Sequence, residues 1–304
     1  MTNDTLGITF TCSATSAGGT ATQSVTIKRD TAAPLVSCES ADGSWHADDV
    51  SIACNSVDAT SGLSTVGDAS FSLSTAVAAG SETANASTGT LGICDIAGNC
   101  GVAGPVSGIK IDKKAPVITV AALTGGSYLL NQAVTAGFTC VDGGSGVANC
   151  TGTTVNGGAI DTGSAGMKAF TVSSADNVGN AADPTTVSYT VVFGLEVLFN
   201  QTKDHKSGST VPIKVRLIDA NGVNVSSVST LLHAISVVQI SNQASTTLDD
   251  AGNSNPDFDF RYDVGSGGYI FNLKTTGYGT GSYLLNFVAG NSPTNYSVRF
   301  QVRQ

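Results

Sequence analysis

The feature that most constrains the fold of this chain is a tandem repeat of three acidic motifs. Each motif begins with Asp, and the order is D-x-x-A-P, D-x-x-S-G, D-x-x-G-N. The two sets span Asp30–Pro34, Asp58–Gly62, Asp95–Asn99, and then Asp112–Pro116, Asp142–Gly146, Asp176–Asn180. Pro116 follows Pro34 by 82 residues. A period of this length suits one small β-sandwich per repeat and is far too long for an ankyrin or tetratricopeptide solenoid.

Composition narrows the fold to short strands joined by turns. The 304 residues include 36 Gly, and only 12% of the residues are charged. Long surface helices use Glu, Lys, Arg and Leu, so this composition disfavours them and favours strands. Apolar residues alternate along several segments, for example at Val211, Ile213 and Val215, as in a half-buried strand. The sequence therefore predicts an all-β protein of tandem antiparallel immunoglobulin-like β-sandwiches in series with a distinct C-terminal β-sandwich.

The repeat also predicts the domain boundaries. Thr5–Ile8 precedes the first D-x-x-A-P motif as Thr90–Ile93 precedes the second, so residues 1–32 look like the truncated last strands of an upstream repeat. The alternative is a self-sufficient capping hairpin. A lone hairpin is marginal in water and has adhesive edges, so we expect this segment to be mobile, docked on a neighbour or self-associating. The other predicted domains are two Ig-like β-sandwiches and a C-terminal β-sandwich, at residues 33–113, 114–192 and 193–304.

Charge and hydropathy narrow the class of partner. The 23 acidic and 14 basic residues give a net charge of −9. The basic footprint of a nucleic-acid-binding protein is therefore missing, and cations are better partners than phosphates. The sequence has no apolar run near the length of about eighteen residues that a membrane span needs, and residues 1–20 lack the pattern of a signal peptide. For an exported protein, we expect the export signal to lie outside this sequence.

The seven cysteines predict disulfides in an oxidising compartment. None forms the C-x2-C pair of a zinc site, and all lie within the first 150 residues. Their spacing around turn-like segments predicts the pairs Cys38–Cys54, Cys94–Cys100 and Cys140–Cys150. An intersheet Cys54–Cys94 bridge of the immunoglobulin type is the alternative. Cys12 is left over, and we expect its partner in the missing strands.

The repeated acidic residues predict two cation sites. In a sandwich of immunoglobulin-like order, the linker and two of the loops lie at the same end, so their side chains converge. The predicted calcium ligands are, at one junction, Asp30, Asp58, Asp95 and Asn99, and at the other, Asp112, Asp142, Asp176 and Asn180. Oxygen ligands without His or thiolate suit Ca²⁺. The alternative is that each side chain caps its own turn backbone, as Asp and Asn do in Gly-containing turns.

Catalytic patterns are missing from the sequence. The three histidines, His46, His205 and His233, are not at metal-ligand spacing, and no G-x-S-x-G or H-E-x-x-H motif occurs. A further acidic loop, Asp249–Asp257, lacks the Glu of an EF-hand because position 264 is Val. We interpret this loop as an Asx-rich turn. The sequence predicts no enzyme and no cofactor other than structural calcium.

At these motifs the chain resembles bacterial extracellular immunoglobulin-like repeats. The motifs that carry the resemblance are D-x-x-A-P, D-x-x-S-G, Cys94–Cys100 and Asp176–Asn180, over about residues 1–192. Residues 206–217 resemble the G-S-x-V-P-[IV]-K signature of the C-terminal domain named PxKF, with Val215 where that name has Phe. The resemblance implies an exported, non-catalytic tail of a larger secreted or cell-surface protein. We therefore expect an extracellular spacer or adhesion array with an unidentified surface, protein or glycan ligand.

The alternative function is a carbohydrate-binding or accessory region of a secreted hydrolase. Sugar-binding sites usually present a platform of exposed aromatic side chains, whereas aromatics make up 6% of this chain, with one Trp. The candidate contacts are Trp45, for which the alternative is a packing role at its turn, and a surface Tyr such as Tyr278. Binding of glycans by the C-terminal sandwich would favour this alternative.

Overall fold

The computed structural model describes residues 2–121, 126–251 and 256–304. Within these ranges the chain is all-β, with short 3-10 turns at Val66–Ala69 and Pro256–Phe258 and no α-helix. The chain divides into two compact units, of which the first comprises residues 1–117, 140–149 and 174–182. The second comprises residues 118–139, 150–173 and 183–304. No helix in the described ranges is long and apolar enough to cross a membrane.

A long antiparallel hairpin, β1 (Thr5–Ser16) and β2 (Gly19–Arg29), forms a two-stranded sheet of its own. Its register runs without interruption from the pair Ile8 and Ile27 to the pair Ser16 and Gly19. Thr, Ile, Val and Phe side chains favour the extended backbone of these strands. No residue of either strand is buried, so both faces of this sheet are open.

The first full repeat folds into small antiparallel sheets and one parallel pairing. Its strands are β3 (Leu35–Cys38), β4 (Trp45–His46), β5 (Ser51–Val57), β6 (Ser70–Ser74), β7 (Glu82–Ala86), β8 (Leu91–Cys94), β9 (Cys100–Ala103) and β10 (Ile109–Asp112). The sheet orders are β3-β5-β6, β4-β10-β7 and β8-β9. Strand β5 alternates between exposed and buried positions, as its sequence predicts.

Cys38 and Cys54 lie opposite each other on β3 and β5, as a hairpin around the turn-like segment 42–49 predicts. The segment itself contains β4, which pairs in parallel with β10. This pairing covers an edge of β10 whose backbone N–H and C=O groups would otherwise lack partners.

The second repeat forms a four-stranded sheet, β12-β16-β15-β14, and a pair, β11-β13. Its strands are β11 (Val117–Val120), β12 (Ser127–Leu129), β13 (Phe138–Val141), β14 (Val147–Gly152), β15 (Gly166–Asp176) and β16 (Thr185–Val192). The apolar alternation over Val134–Cys140 predicts a strand there, but β13 begins only at Phe138. The N–H of Ala136 instead donates to the carbonyl of Gly158 at 2.8 Å, so this part of the segment bonds to a turn.

The C-terminal sandwich has sheets β17-β19-β23-β22 and β18-β25-β24-β20-β21. Its strands are β17 (Gly194–Val197), β18 (Asp204–Lys206), β19 (Thr210–Ile218), β20 (Leu232–Gln239), β21 (Ser245–Thr246), β22 (Arg261–Asp263), β23 (Gly268–Lys274), β24 (Gly281–Ala289) and β25 (Tyr296–Arg303). The alternating apolar residues of β19, β23, β24 and β25 form one large buried cluster. Full burial of each such side chain contributes about 1.5–3 kcal/mol, so this domain has a substantial core.

The core of the first repeat is sparse by comparison, and disulfides reinforce it. Its buried apolar residues form two small clusters, around Ile111 and around Ile93. Disulfides join Cys38 to Cys54 and Cys94 to Cys100, and within each pair the two residues lie directly opposite on neighbouring strands. Small domains that cannot bury enough apolar surface commonly use disulfides in this way.

The remaining cysteines complete the disulfide assignment. Cys140 and Cys150 are also disulfide-bonded, whereas Cys12 is free and exposed. The alternative Cys54–Cys94 bridge is wrong, because each of these residues is bonded to the cysteine opposite it.

Candidate functional site

Three loops bring carboxylates together at one pole of the first full repeat. Oxygens of Asp30, Asp58 and Asp95 lie within 4.8 Å of one another. These residues lie in the linker after β2, after β5 and after β8. The predicted fourth residue, Asn99, donates from Nδ2 to the Asp30 carbonyl at 3.3 Å and to Asp95 Oδ2 at 2.7 Å. We call Asp30, Asp58 and Asp95, with Asn99 beside them, the first centre.

A second group of three carboxylates converges one repeat later, with Glu82 in place of the D-x-x-G-N aspartate, Asp176. Oxygens of Glu82, Asp112 and Asp142 lie within 4.8 Å of one another, and Asp112 is fully buried, at 0% exposure. Asn180 Nδ2 donates to the Asp112 carbonyl at 2.9 Å and to Asp176 Oδ2 at 2.6 Å. We call Glu82, Asp112 and Asp142, with Asp176 and Asn180 beside them, the second centre.

The D-x-x-S-G loop of the first centre is an Asp-capped turn. Asp58 Oδ1 accepts hydrogen bonds from the N–H groups of Thr60, Ser61 and Gly62, at 3.2, 2.8 and 2.7 Å. Gly62 has a φ of +82°, a conformation that glycine adopts without steric cost. Turn capping, the alternative to metal binding, therefore occurs in the structure. It does not exclude a metal, because a carboxylate has two oxygens, and these hydrogen bonds all go to Oδ1.

The corresponding loop of the second centre is also capped through one oxygen of its Asp, but here the other oxygen is buried. Asp142 Oδ2 accepts from the N–H groups of Gly144 and Gly146, at 3.2 and 2.8 Å. Asp142 Oδ1 is buried and has no hydrogen-bond partner. Buried polar atoms nearly always have partners, so each exception calls for an explanation such as an ion or a water.

Glu82 is the residue of this centre that sequence reasoning missed. It begins β7, outside the repeated motifs, and its Oε2 is also buried without a partner. A Cβ atom at Gly143 would lie 2.5 Å from Glu82 Oε1, and one at Gly144 would lie 2.5 Å from Asp112 Oδ2. The two glycines therefore allow both carboxylates to approach the loop. The sequence signal was the Gly-Gly pair of the second copy, which reads D-G-G-S-G where the first copy reads D-A-T-S-G.

The geometry of the second centre fits a hard cation. Ca²⁺ binds six to eight oxygens at about 2.3–2.6 Å, so oxygens on one ion lie no more than about 5 Å apart. The 4.8 Å limit for the three carboxylates satisfies this condition. The donors are oxygen atoms, which suit Ca²⁺ rather than zinc or copper. The two buried oxygens without partners, Glu82 Oε2 and Asp142 Oδ1, are the atoms that an ion would satisfy.

A lysine partly neutralises the second centre. Lys114 Nζ lies 3.0 Å from Glu82 Oε1, and the Lys114 side chain is 44% exposed. Its neighbour Lys113 pairs instead with Asp49 at 2.7 Å. A half-exposed pair of this kind contributes about 0–1 kcal/mol, so it offsets little of the repulsion among the carboxylates.

Hydrogen bonds favour the ionised form of the linker aspartates in both centres. Burial raises the pKa of Asp112, but hydrogen bonds led by the one from the Ser145 N–H, at 2.7 Å, outweigh this effect and lower the pKa below its usual value. In the first centre, the Ser61 side chain is the largest cause that lowers the pKa of Asp30. Both linker residues are therefore charged at neutral pH, as metal binding requires.

The other predicted residues lie away from the two centres. His46 pairs with Asp42 at 3.1 Å and His233 with Asp259 at 2.7 Å, while burial lowers the pKa of His205. Trp45 is half-buried in β4. The loop 249–257 lies partly outside the described residues.

The expectation that Tyr278 is a surface residue is wrong. It is 2% exposed, and its hydroxyl donates to the Thr247 carbonyl at 2.7 Å. Burial raises its pKa above the usual range. The ring belongs to the core because it packs on Tyr283, with ring centroids 5.0 Å apart.

Comparison with known proteins gives structural likeness only. No protein-family profile and no curated protein matches the chain. Fibronectin(III)-like modules of Clostridium thermocellum CbhA match at 14% identity and a TM-score of 0.23, over 52% of this chain and 94% of theirs. Extracellular domains 3–5 of Drosophila OTK match at 10% identity and a TM-score of 0.30, over 86% of this chain and 93% of that chain. Domains 4–9 of the surface layer protein SbsC match at 14% identity and a TM-score of 0.23, over 89% of this chain and 47% of that chain.

Proposed function

We propose that this chain is a non-catalytic extracellular spacer or adhesion segment in which Ca²⁺ at the second centre stiffens the linker between the first two sandwiches. The observation that carries the proposal is the pair of buried oxygens without partners, on Glu82 and Asp142, beside the fully buried Asp112. Bound Ca²⁺ would supply the missing partner for both atoms and offset the repulsion among carboxylates.

The second centre links parts of the chain that are distant in sequence. Glu82 comes from β7, Asp112 from the end of β10, and Asp142 follows β13. An ion held by all three would tie the linker 113–116 to a strand before it and a loop after it. Loss of linker freedom on binding is the physical basis of the stiffening that we propose.

We propose a weaker Ca²⁺ site at the first centre. Its three aspartates also converge, but their oxygens are not among the described buried atoms without partners. An ion there would compete with hydrogen bonds that already satisfy Asp58 Oδ1.

Disulfides and the motifs support the rest of the proposal. Six of the seven cysteines are disulfide-bonded, and disulfides persist in oxidising compartments such as the cell exterior. The motif residues support bacterial Ig-like repeats followed by a PxKF-type domain. The accessory role in a secreted hydrolase is left with weaker support, because the Tyr chosen for sugar contact is a core residue.

Trypsin provides the test of stiffening, because Lys113 and Lys114 lie in the linker. We expect Ca²⁺ to slow cleavage at this pair by about tenfold or more, since cleavage needs local opening. Cleavage at the exposed Lys203 of the C-terminal sandwich is the internal control. Protection should vanish in Asp142→Asn. Equal linker cleavage with Ca²⁺ and with chelator, at concentrations where binding is detected, would disprove stiffening.

A further inference from the structure

The turn that follows β19 repeats the geometry of the two D-x-x-G-N turns. In Asp95–Asn99 and Asp176–Asn180, the Asp N–H donates to the carbonyl four residues later, at 3.0 and 3.1 Å, and the Gly N–H donates to the Asp carbonyl. The turn Asp219–Val223 has both bonds, at 2.9 and 3.0 Å. The glycine of each turn has a positive φ, between +75° and +99°. The C-terminal sandwich therefore contains a third copy of this turn.

The third turn differs from the other two in its last residue. Asn99 and Asn180 each donate from Nδ2 to Oδ2 of the Asp in their own turn, at 2.7 and 2.6 Å. Position 223 is Val, which has no amide to donate. Asp219 Oδ2 instead accepts from Nδ2 of Asn131, at 3.0 Å, and Asn131 lies after β12 in the second sandwich. A neighbouring domain thus supplies the donor that the turn itself lacks.

Two further hydrogen bonds join the same two sandwiches. The N–H of Ala220 donates to the carbonyl of Leu130 at 2.9 Å, and the N–H of Phe193 donates to the Tyr296 hydroxyl, also at 2.9 Å. Phe193 alone separates β16 of the second sandwich from β17 of the C-terminal sandwich, and its side chain packs against the C-terminal core. All of these residues belong to the second compact unit.

Both partners of the contact between Asn131 and Asp219 are held in place by their own backbones. Asp219 is 6% exposed, and its Oδ1 accepts from the N–H groups of Asn221 and Val223, at 2.8 and 3.0 Å. The Asn131 amide is the largest cause that lowers the pKa of Asp219, so the acceptor is charged at neutral pH, which strengthens the bond. Asn131 has a φ of +58°, a conformation that Asn adopts more readily than most residues.

We propose that Asn131 and Asp219 form an interdomain lock that couples the second sandwich and the C-terminal sandwich into one mechanical unit. Domains joined by small polar contacts move relative to each other by default. Here the linker is one residue long, and a buried carboxylate of one sandwich binds an amide of the other. Opening the junction would remove this partner from Asp219 Oδ2, and losing the partner of a buried acceptor is costly.

The interdomain lock is a direct contact between side chains, so it does not depend on Ca²⁺ at the second centre. It goes beyond the proposed function, because it assigns a mechanical role to the junction that the repeated acidic motifs do not reach. A locked junction keeps the C-terminal sandwich in one orientation relative to the second sandwich. A force applied to the C-terminal sandwich is then passed directly to its neighbour.

Distances between spin labels across the junction test the interdomain lock. Nitroxides are attached to Ser173→Cys on β15 and Ile235→Cys on β20, two exposed strand positions, in the full chain with Cys12→Ser to remove the free thiol. Double electron–electron resonance then gives the distribution of label distances. A chelator is present throughout, so Ca²⁺ binding has no part in the result. We expect one narrow distribution, and a broad one would overturn the proposal.

Two variants should open the interdomain lock in different ways. Asn131→Gly removes the amide and keeps a residue that adopts a positive φ without cost. Val223→Asn restores the D-x-x-G-N sequence, so an amide within the turn competes with Asn131 for Asp219 Oδ2. We expect the distance distribution to broaden by about twofold or more in each variant, since relative motion of domains returns once their contact is lost. Val223→Ala adds no donor and is the matched control, which should stay narrow.

The outcomes that would overturn the interdomain lock are distinct. Narrow distributions in both Asn131→Gly and Val223→Asn would show that other contacts hold the junction. Equal broadening in Val223→Asn and Val223→Ala would show that the Val side chain, rather than competition for Asp219, matters. Circular dichroism checks the fold of each variant. Val223 is 57% exposed, so Val223→Asn keeps the test decisive if Asn131→Gly does not fold.

Discussion

The first and second centres are built from the same three motifs, yet different residues surround their carboxylates. Residues 59 and 60 of the first D-x-x-S-G loop are Ala and Thr, and the matching residues of the second are Gly143 and Gly144. Without Cβ atoms there, Glu82 and Asp112 approach the second loop closely. The second centre thus has Glu82 among its three converging carboxylates, and two of its carboxylate oxygens are buried without partners.

This difference teaches that the motif specifies a turn, while residues around it decide the chemistry. In both copies an Asp caps the loop through backbone N–H groups, as Asp does in Gly-containing turns. Cation binding needs further oxygens at the correct distance. Glu82 supplies them from a strand that no motif marks.

The largest expected effect comes from filling the space above the second loop. Gly144→Ala would place a methyl 2.5 Å from the buried carboxylate of Asp112, and overpacking of this kind costs about 1–3 kcal/mol. Thr60→Ala at the matching position of the first loop is the control, with an expected change within about 0.5 kcal/mol. Calorimetric melting of both variants without Ca²⁺ measures the difference. Equal melting temperatures would show that the two loops are equally spacious.

A smaller effect is expected from the lysine beside the second centre. Lys114→Gln removes a cation that lies 3.0 Å from Glu82, so Ca²⁺ should bind more tightly, by about two- to fivefold for a pair worth up to 1 kcal/mol. Lys113→Gln is the matched control, because Lys113 pairs with Asp49 instead. Titration calorimetry compares the two affinities. A tighter site in both variants would indicate a general charge effect rather than competition at Glu82.

The smallest effect is the acid dependence of stability. The pKa of Asp112 is lowered from 3.8 in the folded protein, so its contribution to stability is present above pH 3.8 and is lost as the pH falls through the folded value. Asp112→Asn should therefore flatten the dependence of melting temperature on pH below about 4. Asp30→Asn is the comparison at the first centre, because the pKa of Asp30 in the unmodified protein is lowered in the same direction. An unchanged slope in Asp112→Asn would contradict this assignment.

Much of the fold follows from the sequence because its physical causes are local. The alternation at Val211, Ile213 and Val215 reflects strand geometry, and all three residues are fully buried. The convergence of Asp30, Asp58 and Asp95 follows from the order of strands that the repeat length implies.

Other features could not be predicted, because they depend on distant contacts. Glu82 enters the second centre through the packing of β7 on β10 and the space above two glycines, neither of which a motif records. Tyr278 lies in a Gly-rich stretch that suggests a surface turn, but its ring packs on Tyr283. Strand β4 is only two residues long, too short for a periodic signal.

Titration calorimetry with Ca²⁺ tests the central claim most directly. We predict one clear binding event in the unmodified chain, weakened by about tenfold or more in Glu82→Gln because a ligand charge is lost, and unchanged in Asp58→Asn. Absence of heat together with an unchanged melting temperature at millimolar Ca²⁺, or equal weakening by both substitutions, would contradict the account.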